Sequence, residues 1–241
     1  MSEPAHHVTV HALDAGWFTM PERFFVTPLE NQETKKSVLL LSFLVQHIDQ
    51  ASAKTTRILF DLGLRREISQ YSEPILNHVA TRQPLSTVLD VVDLLALGGL
   101  TPGDIDAVVS DLPWKAKGPF LHTLDMFRDG SVFIVWAPGH LTGHLNLLCR
   151  KKGGDYVYLG GDAAYDIRLI CGEKDIATWK ETSGQVCCIH QDPETARETI
   201  SRICSAKSGE TSLGAVEVIL AHDSEWAYQA KAKVRNFPGE I

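Results

Sequence analysis

Apolar residues along the chain fall into short runs separated by polar turns, and the period within each run sorts it into strand or helix. Residues 8–13 read as a first strand, 37–47 as a second and longer one, and 57–61 as a third that stops before Gly63. The polar stretch 50–56 between the last two reads as a hairpin loop. The period changes over 84–97, where Val88, Val91, Val92 and Leu95 follow helical spacing, with Ser86 or Thr87 as cap and Gly98 and Gly99 as stop. Residues 105–110, 131–136, 145–148 and 156–159 are further strands. A second clear helix starts at Asp192 and Pro193 and runs towards Cys204, because Asp suits the cap and Pro the first turn. A last strand at 216–220 and a terminal helix at 224–233 complete the pattern. Strands grouped in two blocks, each followed by helix, predict an α/β protein with two sheets sandwiched between helices, in one domain over 1–241.

Composition narrows the classes. The 241 residues are 44% hydrophobic and 22% charged, the balance of a globular chain, and the net charge of −7 without basic clusters argues against a nucleic-acid partner. No apolar stretch approaches the roughly 20 residues of a membrane span. The N-terminal residues show no positively charged start followed by an apolar run, so the expected location is cytoplasmic. The five cysteines form no C-x-x-C pair and read as reduced thiols, with Cys187 and Cys188 as packed strand residues rather than a vicinal disulfide.

Polar residues gather just beyond apolar strands in four places. These are Asp61 with Gly63, the segment 137–144 with His140 and His144, the segment 159–165 with Asp162 and Tyr165, and His222 with Asp223. Taken singly, a strand-end Asp most often caps a turn. Four such ends on a sheet scaffold can be aimed at a common point, where a small-molecule substrate would bind.

In order and spacing these segments resemble the metallo-β-lactamase superfamily, and within it the lactone-hydrolysing branch with its fungal lactonase-like members. Residues 58–63 resemble the early strand and Asp-x-Gly turn, 104–110 the strand into the metal loop, and 138–144 the Pro-Gly-His-x-x-Gly-His segment. Residues 161–165 resemble the Asp loop, 221–223 the last ligand, and the tail 236–241 a similar Phe-Pro ending. The resemblance implies a metallo-β-lactamase-like αββα sandwich, two mixed sheets between helices, with two zinc ions on one edge. It places His140 and His222 at ligand positions, Asp162 at the bridging carboxylate, Tyr165 at an oxyanion-stabilising tyrosine, His144 beside the site and Asp61 behind the metal loop.

The metal loop itself departs from the family. Where the family has His-x-His-x-Asp-His, this chain has Asp111, Leu112, Pro113, Trp114, Lys115 and Ala116, and only Asp111 among the replacements can coordinate. A two-zinc centre is therefore not expected and no cofactor is. The alternative is one zinc on Asp111, His140, Asp162 and His222. The favoured reading puts the Lys115 ammonium in the space of the second metal, within about 4 Å of Asp162, because a buried carboxylate needs a cation. Only about twenty residues separate Gly118 from Pro138, fewer than in the lactonases, which implies a more open or differently shaped pocket.

Three functions follow. The favoured one is a diverged enzyme acting on a small carbonyl, ester or lactone metabolite of secondary-metabolite type. It would use Lys115, Tyr165, His222, Asp162 and His140 for elimination, isomerisation, cyclisation or hydrolysis, with Trp114, Lys117 and His144 binding substrate. The others are a zinc hydrolase with a reduced one-metal site and a catalytically silent binding protein.

Overall fold

The computed structural model describes residues 6–106, 114–233 and 235–241, and of Pro74 only the backbone. Two β-sheets lie face to face. The first contains β1 (Val8–Pro21), β2 (Lys35–Ile48), β3 (Thr55–Phe60) and the short β4 (Leu85–Ser86), in the order β3-β2-β1-β4, and its pairings are antiparallel throughout. The second contains β5 (Lys115–Lys117), β6 (Phe120–Asp125), β7 (Val132–Trp136), β8 (Leu145–Arg150), β9 (Tyr156–Leu159) and β10 (Val216–Ile219), in the order β10-β9-β8-β7-β6-β5. Here β9 and β10 run parallel and the other pairs antiparallel, so this sheet is mixed. The helices are α1 (Glu73–Ala80), α2 (Val91–Leu97), α3 (Ile167–Ile170), α4 (Pro193–Lys207) and α5 (Ser224–Ala232).

Alternation along each strand builds the layers. Leu41, Phe43 and Val45 of β2 meet Leu147 and Cys149 of β8 and Val157 and Leu159 of β9 in the core between the sheets. The residues between them point the other way. Leu44 joins Leu13 under Leu95 of α2, while Leu148, Tyr156 and Tyr158 pack under Ala196, Ile200, Ile203 and Ala206 of α4. Central strands of both sheets are thus buried on two faces, which is why they read as near-continuous apolar runs. The result is helix, sheet, sheet, helix, the αββα sandwich.

Several segments differ from the expectation, beginning with the first strand, which was expected over 8–13 and continues to Pro21. Helical spacing over 84–97 overstates α2, which starts at Val91. Asp90 accepts from the N–H groups of Val92 and Asp93 in a capping box, while Leu85 and Ser86 pair with β1 instead. Residues 105 and 106 are irregular, and the rest of the strand expected at 105–110 lies outside the described residues. The hairpin β5–β6 was absent from the sequence pattern. Its two-residue turn is Gly118 and Pro119, with Gly118 at φ +56°, and Lys117 pairs with Phe120 across it. All five cysteines carry free thiols, and Cys187 and Cys188 lie in a short strand, Val186–Cys188. Among the described residues no helix is long and apolar enough to cross a membrane.

Candidate active site

Three loops at the ends of β7, β9 and β10 deliver the polar residues. After β7 the chain turns at Pro138 and Gly139 to reach His140. Gly139 sits at φ +122°, and a Cβ there would lie 2.4 Å from the Ala196 backbone of α4. The close approach is fixed by three bonds: the Gln191 N–H donates to the His140 carbonyl, that of Asp192 to the Gly139 carbonyl, and the Thr199 hydroxyl to the Pro138 carbonyl. The start of α4 therefore holds His140 in place.

After β9, Gly160 donates to the Ile219 carbonyl of β10, and Gly161 accepts from Ala221, so the loops carrying Asp162 and His222 are tied together. Ala221 in turn accepts from Leu41 of β2. The Nδ1 of His222 lies 2.8 Å from the Leu39 carbonyl, which acts as its acceptor and turns Nε2 towards Asp162.

Asp162 is the centre of the cluster. Its Oδ1 lies 2.9 Å from His222 Nε2 and its Oδ2 3.6 Å from His140 Nε2. The Oδ1 approach has the distance of an ion pair without the alignment of a hydrogen bond, and Oδ1 is a buried oxygen with no hydrogen-bond partner among the described residues. Burial pushes the Asp162 carboxyl up, but the charge and proximity of His222, and then His140 and His144, outweigh it and hold the pKa at about 2. His222 is shifted the opposite way: burial lowers it, and the neighbouring Asp162 raises it above its ordinary value. Burial dominates at His140 and His144, which are pushed down and favour the neutral ring.

Tyr165 stacks on His222 with ring centroids 4.8 Å apart and lies 5.6 Å from the His140 ring. Desolvation and the Asp162 charge raise its phenol well above the usual range, so it keeps its proton. His140, Asp162, Tyr165 and His222 all line one cavity of about 440 Å³, with Asp61 and Gly63 on its wall. Asp61 takes a left-handed φ of +63° and accepts from the N–H groups of Leu62 and Gly63, closing the turn after β3. His144 packs beside His140, ring centroids 5.4 Å apart.

Other expected residues lie elsewhere. Lys115 forms no ion pair with Asp162, whose partners are the two imidazoles. It is exposed on the edge strand β5, paired with Thr123 of β6, whose hydroxyl donates to its carbonyl. Four strand spacings separate β5 from β9, on the order of 19 Å. Pairing of 115–117 with β6 overrides the position that Lys115 would take in a metal loop. Lys117 places its ammonium 4.8 Å from the Phe133 ring and 5.7 Å from that of Tyr156, and Trp114 is exposed, so neither lines the cavity. Asp111 and Pro113 lie outside the described residues.

Sequence reading missed His190. It is buried two residues before the α4 cap, 5.5 Å from the His140 ring, with neither ring nitrogen hydrogen-bonded among the described residues. Burial, reinforced by His140, pushes it down to about 4. Its only signal in the sequence is position, two residues before the Asp192 cap of α4.

The arrangement defines the fold: the chain has the metallo-β-lactamase fold, the αββα sandwich shared by the solved proteins it resembles. It is similar over 98% of its length, and 100% of the other chain, to an N-acyl homoserine lactone hydrolase solved with the product N-hexanoyl-L-homoserine at its catalytic metal centre, at TM-score 0.66 and 17% identity. A probable metal-dependent hydrolase from Staphylococcus aureus matches at TM-score 0.55 and 14% identity over 90% of each chain. In sequence it is similar to the metallo-hydrolase mfmC of Annulohypoxylon moriforme, 24% identical over 231 residues, the match covering 70% of this chain and 59% of that protein. No protein-family model matches the chain.

A two-zinc centre does not fit this donor set. Where the metal loop should supply an Asp and a final His, this chain carries Lys115 and Ala116, neither of which can coordinate zinc.

Proposed function

We propose that the protein is a hydrolase of small esters or lactones that works through its own acid–base residues. The observation that carries this reading is the convergence of His140, Asp162, Tyr165 and His222 on one cavity, with the carboxylate between two imidazoles. In this scheme neutral His140 takes a proton from water as the water oxygen bonds to the acyl carbon. The carbonyl oxygen gains the negative charge and accepts a hydrogen bond from the Tyr165 hydroxyl. The tetrahedral species then collapses, the acyl carbon–oxygen bond breaks, and protonated His140 returns its proton to the leaving oxygen. Asp162 and His222, charge-paired and anchored to the Leu39 carbonyl, hold His140 and Tyr165 in register. Lyase or isomerase chemistry draws no separate support from this geometry.

The test is turnover of an ester and lactone panel by the wild type and by Asp162→Asn and His140→Gln. Each variant should lose at least about 100-fold in kcat with a melting temperature within a few degrees of wild type. Unchanged kcat in both overturns the scheme. A second reading, one zinc on Asp111, His140, Asp162 and His222, is favoured by the buried His140 Nδ1 and Asp162 Oδ1 that lack hydrogen-bond partners. Elemental analysis separates the two: well under one transition metal per chain is expected, and close to one supports the zinc reading.

A further inference from the structure

The cavity that holds the reactive cluster has a second polar wall. Arg82, two residues beyond the end of α1, lines it together with His78 of that helix, and the apolar side chains of Phe18, Met20 and Leu40 complete the space between. Arg82 is fixed from behind. Its N–H donates to the Val79 carbonyl, its own carbonyl accepts from Thr19 of β1, and its guanidinium lies 5.8 Å from the Phe24 ring and donates to the Thr81 hydroxyl at 2.9 Å.

No carboxylate among the described residues answers this charge. Arg66 pairs with Asp93, Arg168 with Asp166 and Glu22, and Lys36 with Asp166, but Arg82 has no ion-pair partner. Neither acid of the cavity supplies one. Asp162 is engaged by His222 and His140, and Asp61, whose carboxylate accepts from the Leu62 and Gly63 N–H groups, forms no ion pair with Arg82. Arg82 is close enough to Tyr165 for its positive charge to pull the phenol pKa down, though burial outweighs that pull. A guanidinium stays protonated in this half-buried setting and presents a fork of donors that matches a carboxylate. A single positive charge balances one carboxylate. A phosphate dianion would leave excess negative charge beside Asp61 and Asp162.

We infer that Arg82 is the specificity residue of this cavity and selects a substrate bearing a free carboxylate, an acid whose ester or lactone carbonyl reaches the cluster across the apolar floor. The inference rests on the hydrolase reading for the identity of the reacting bond, and on the geometry alone for the carboxylate.

The probes are para-nitrophenyl hydrogen adipate, which carries a free carboxylate, and para-nitrophenyl hexanoate, its neutral counterpart. Arg82→Met should lower kcat/KM on the adipate ester by 10- to 100-fold, mainly through KM, and change the hexanoate ester less than 3-fold, with Arg82→Lys recovering part of the loss. Equal losses on both esters, or none on either, overturn the inference and leave Arg82 as a packing residue on Phe24. Calorimetric binding of hexanoate against hexanamide is the arm that needs no turnover. If the wild type cleaves neither ester, the hydrolase reading fails by itself. Hexanoate binding lost in Arg82→Met then still supports the carboxylate site, and binding equal to wild type refutes it.

Discussion

At the scale of single residues the cation opposite Asp162 decides the chemistry. The structure supplies two imidazoles, at 2.9 and 3.6 Å, and places Lys115 on an edge strand of the other end of the sheet. Lys115→Ala should therefore keep kcat/KM within about 2-fold of wild type and the melting temperature nearly unchanged, since exposed side chains away from special features contribute little. A loss of 100-fold, measured on any substrate the wild type turns over, would return Lys115 to the site. The contrast with His140, Asp162, Tyr165 and His222 explains what was legible at this scale. Each of those four lies within six residues of the end of an apolar strand, so its position is set by a strong local pattern. Lys115 has no such local signal: it follows a loop in which every family ligand is replaced, and pairing with Phe120–Asp125 holds it in a hairpin. Arg82 and His190 escaped for the opposite reason: their roles come from contacts between elements far apart in sequence, which no local spacing reveals.

At the scale of elements, the loop after β7 is shaped by the helix it leans on. The expected strands and α4 agree with the structure to within a few residues at most ends, because alternation, caps and Pro are local signals. The approach of Gly139 to α4 is not local, and it gives the glycine a meaning beyond turn-forming. Adding a Cβ at φ +122° and 2.4 Å from the Ala196 N and Cα atoms must move the helix or the loop. Gly139→Ala should cost about 3 kcal/mol, the sum of left-handed strain and overpacking, and lower the melting temperature by roughly 6–12 °C. Gly143→Ala is the matched control. Gly143 also has a left-handed φ, +80°, but open space around it, so only about 1 kcal/mol and 2–4 °C are expected. Equal effects from the two substitutions would show that packing against α4 contributes nothing.

At the scale of the whole molecule, a half-buried charge network ties distant parts of the second sheet to the end of the chain. Glu217 of β10 accepts from Lys151 after β8, from the indole of Trp226 on α5, and from Arg235 through both oxygens, all at 2.8–2.9 Å. Burial alone would raise its carboxyl, but these donors outweigh that and bring it down to about 2, against an ordinary 4.5. A carboxylate depressed in the folded state adds stability that is fully present above the unfolded value and is lost as pH falls through the folded one. The window is therefore from about pH 5 down to about pH 2. The full shift corresponds to on the order of 3 kcal/mol, and solvent screening of a side chain 27% exposed reduces that to about 2 kcal/mol. Asp162 and Asp166 are also held at about 2 and lose their contributions over the same range, so the wild-type curve alone does not isolate Glu217. The difference from Glu217→Gln does. In chemical denaturation the variant should be about 2 kcal/mol less stable than wild type at pH 7, and the two curves should converge as pH approaches 2.5. Parallel curves across that range would mean that the Glu217 charge does not hold β10, α5 and the C-terminal segment together.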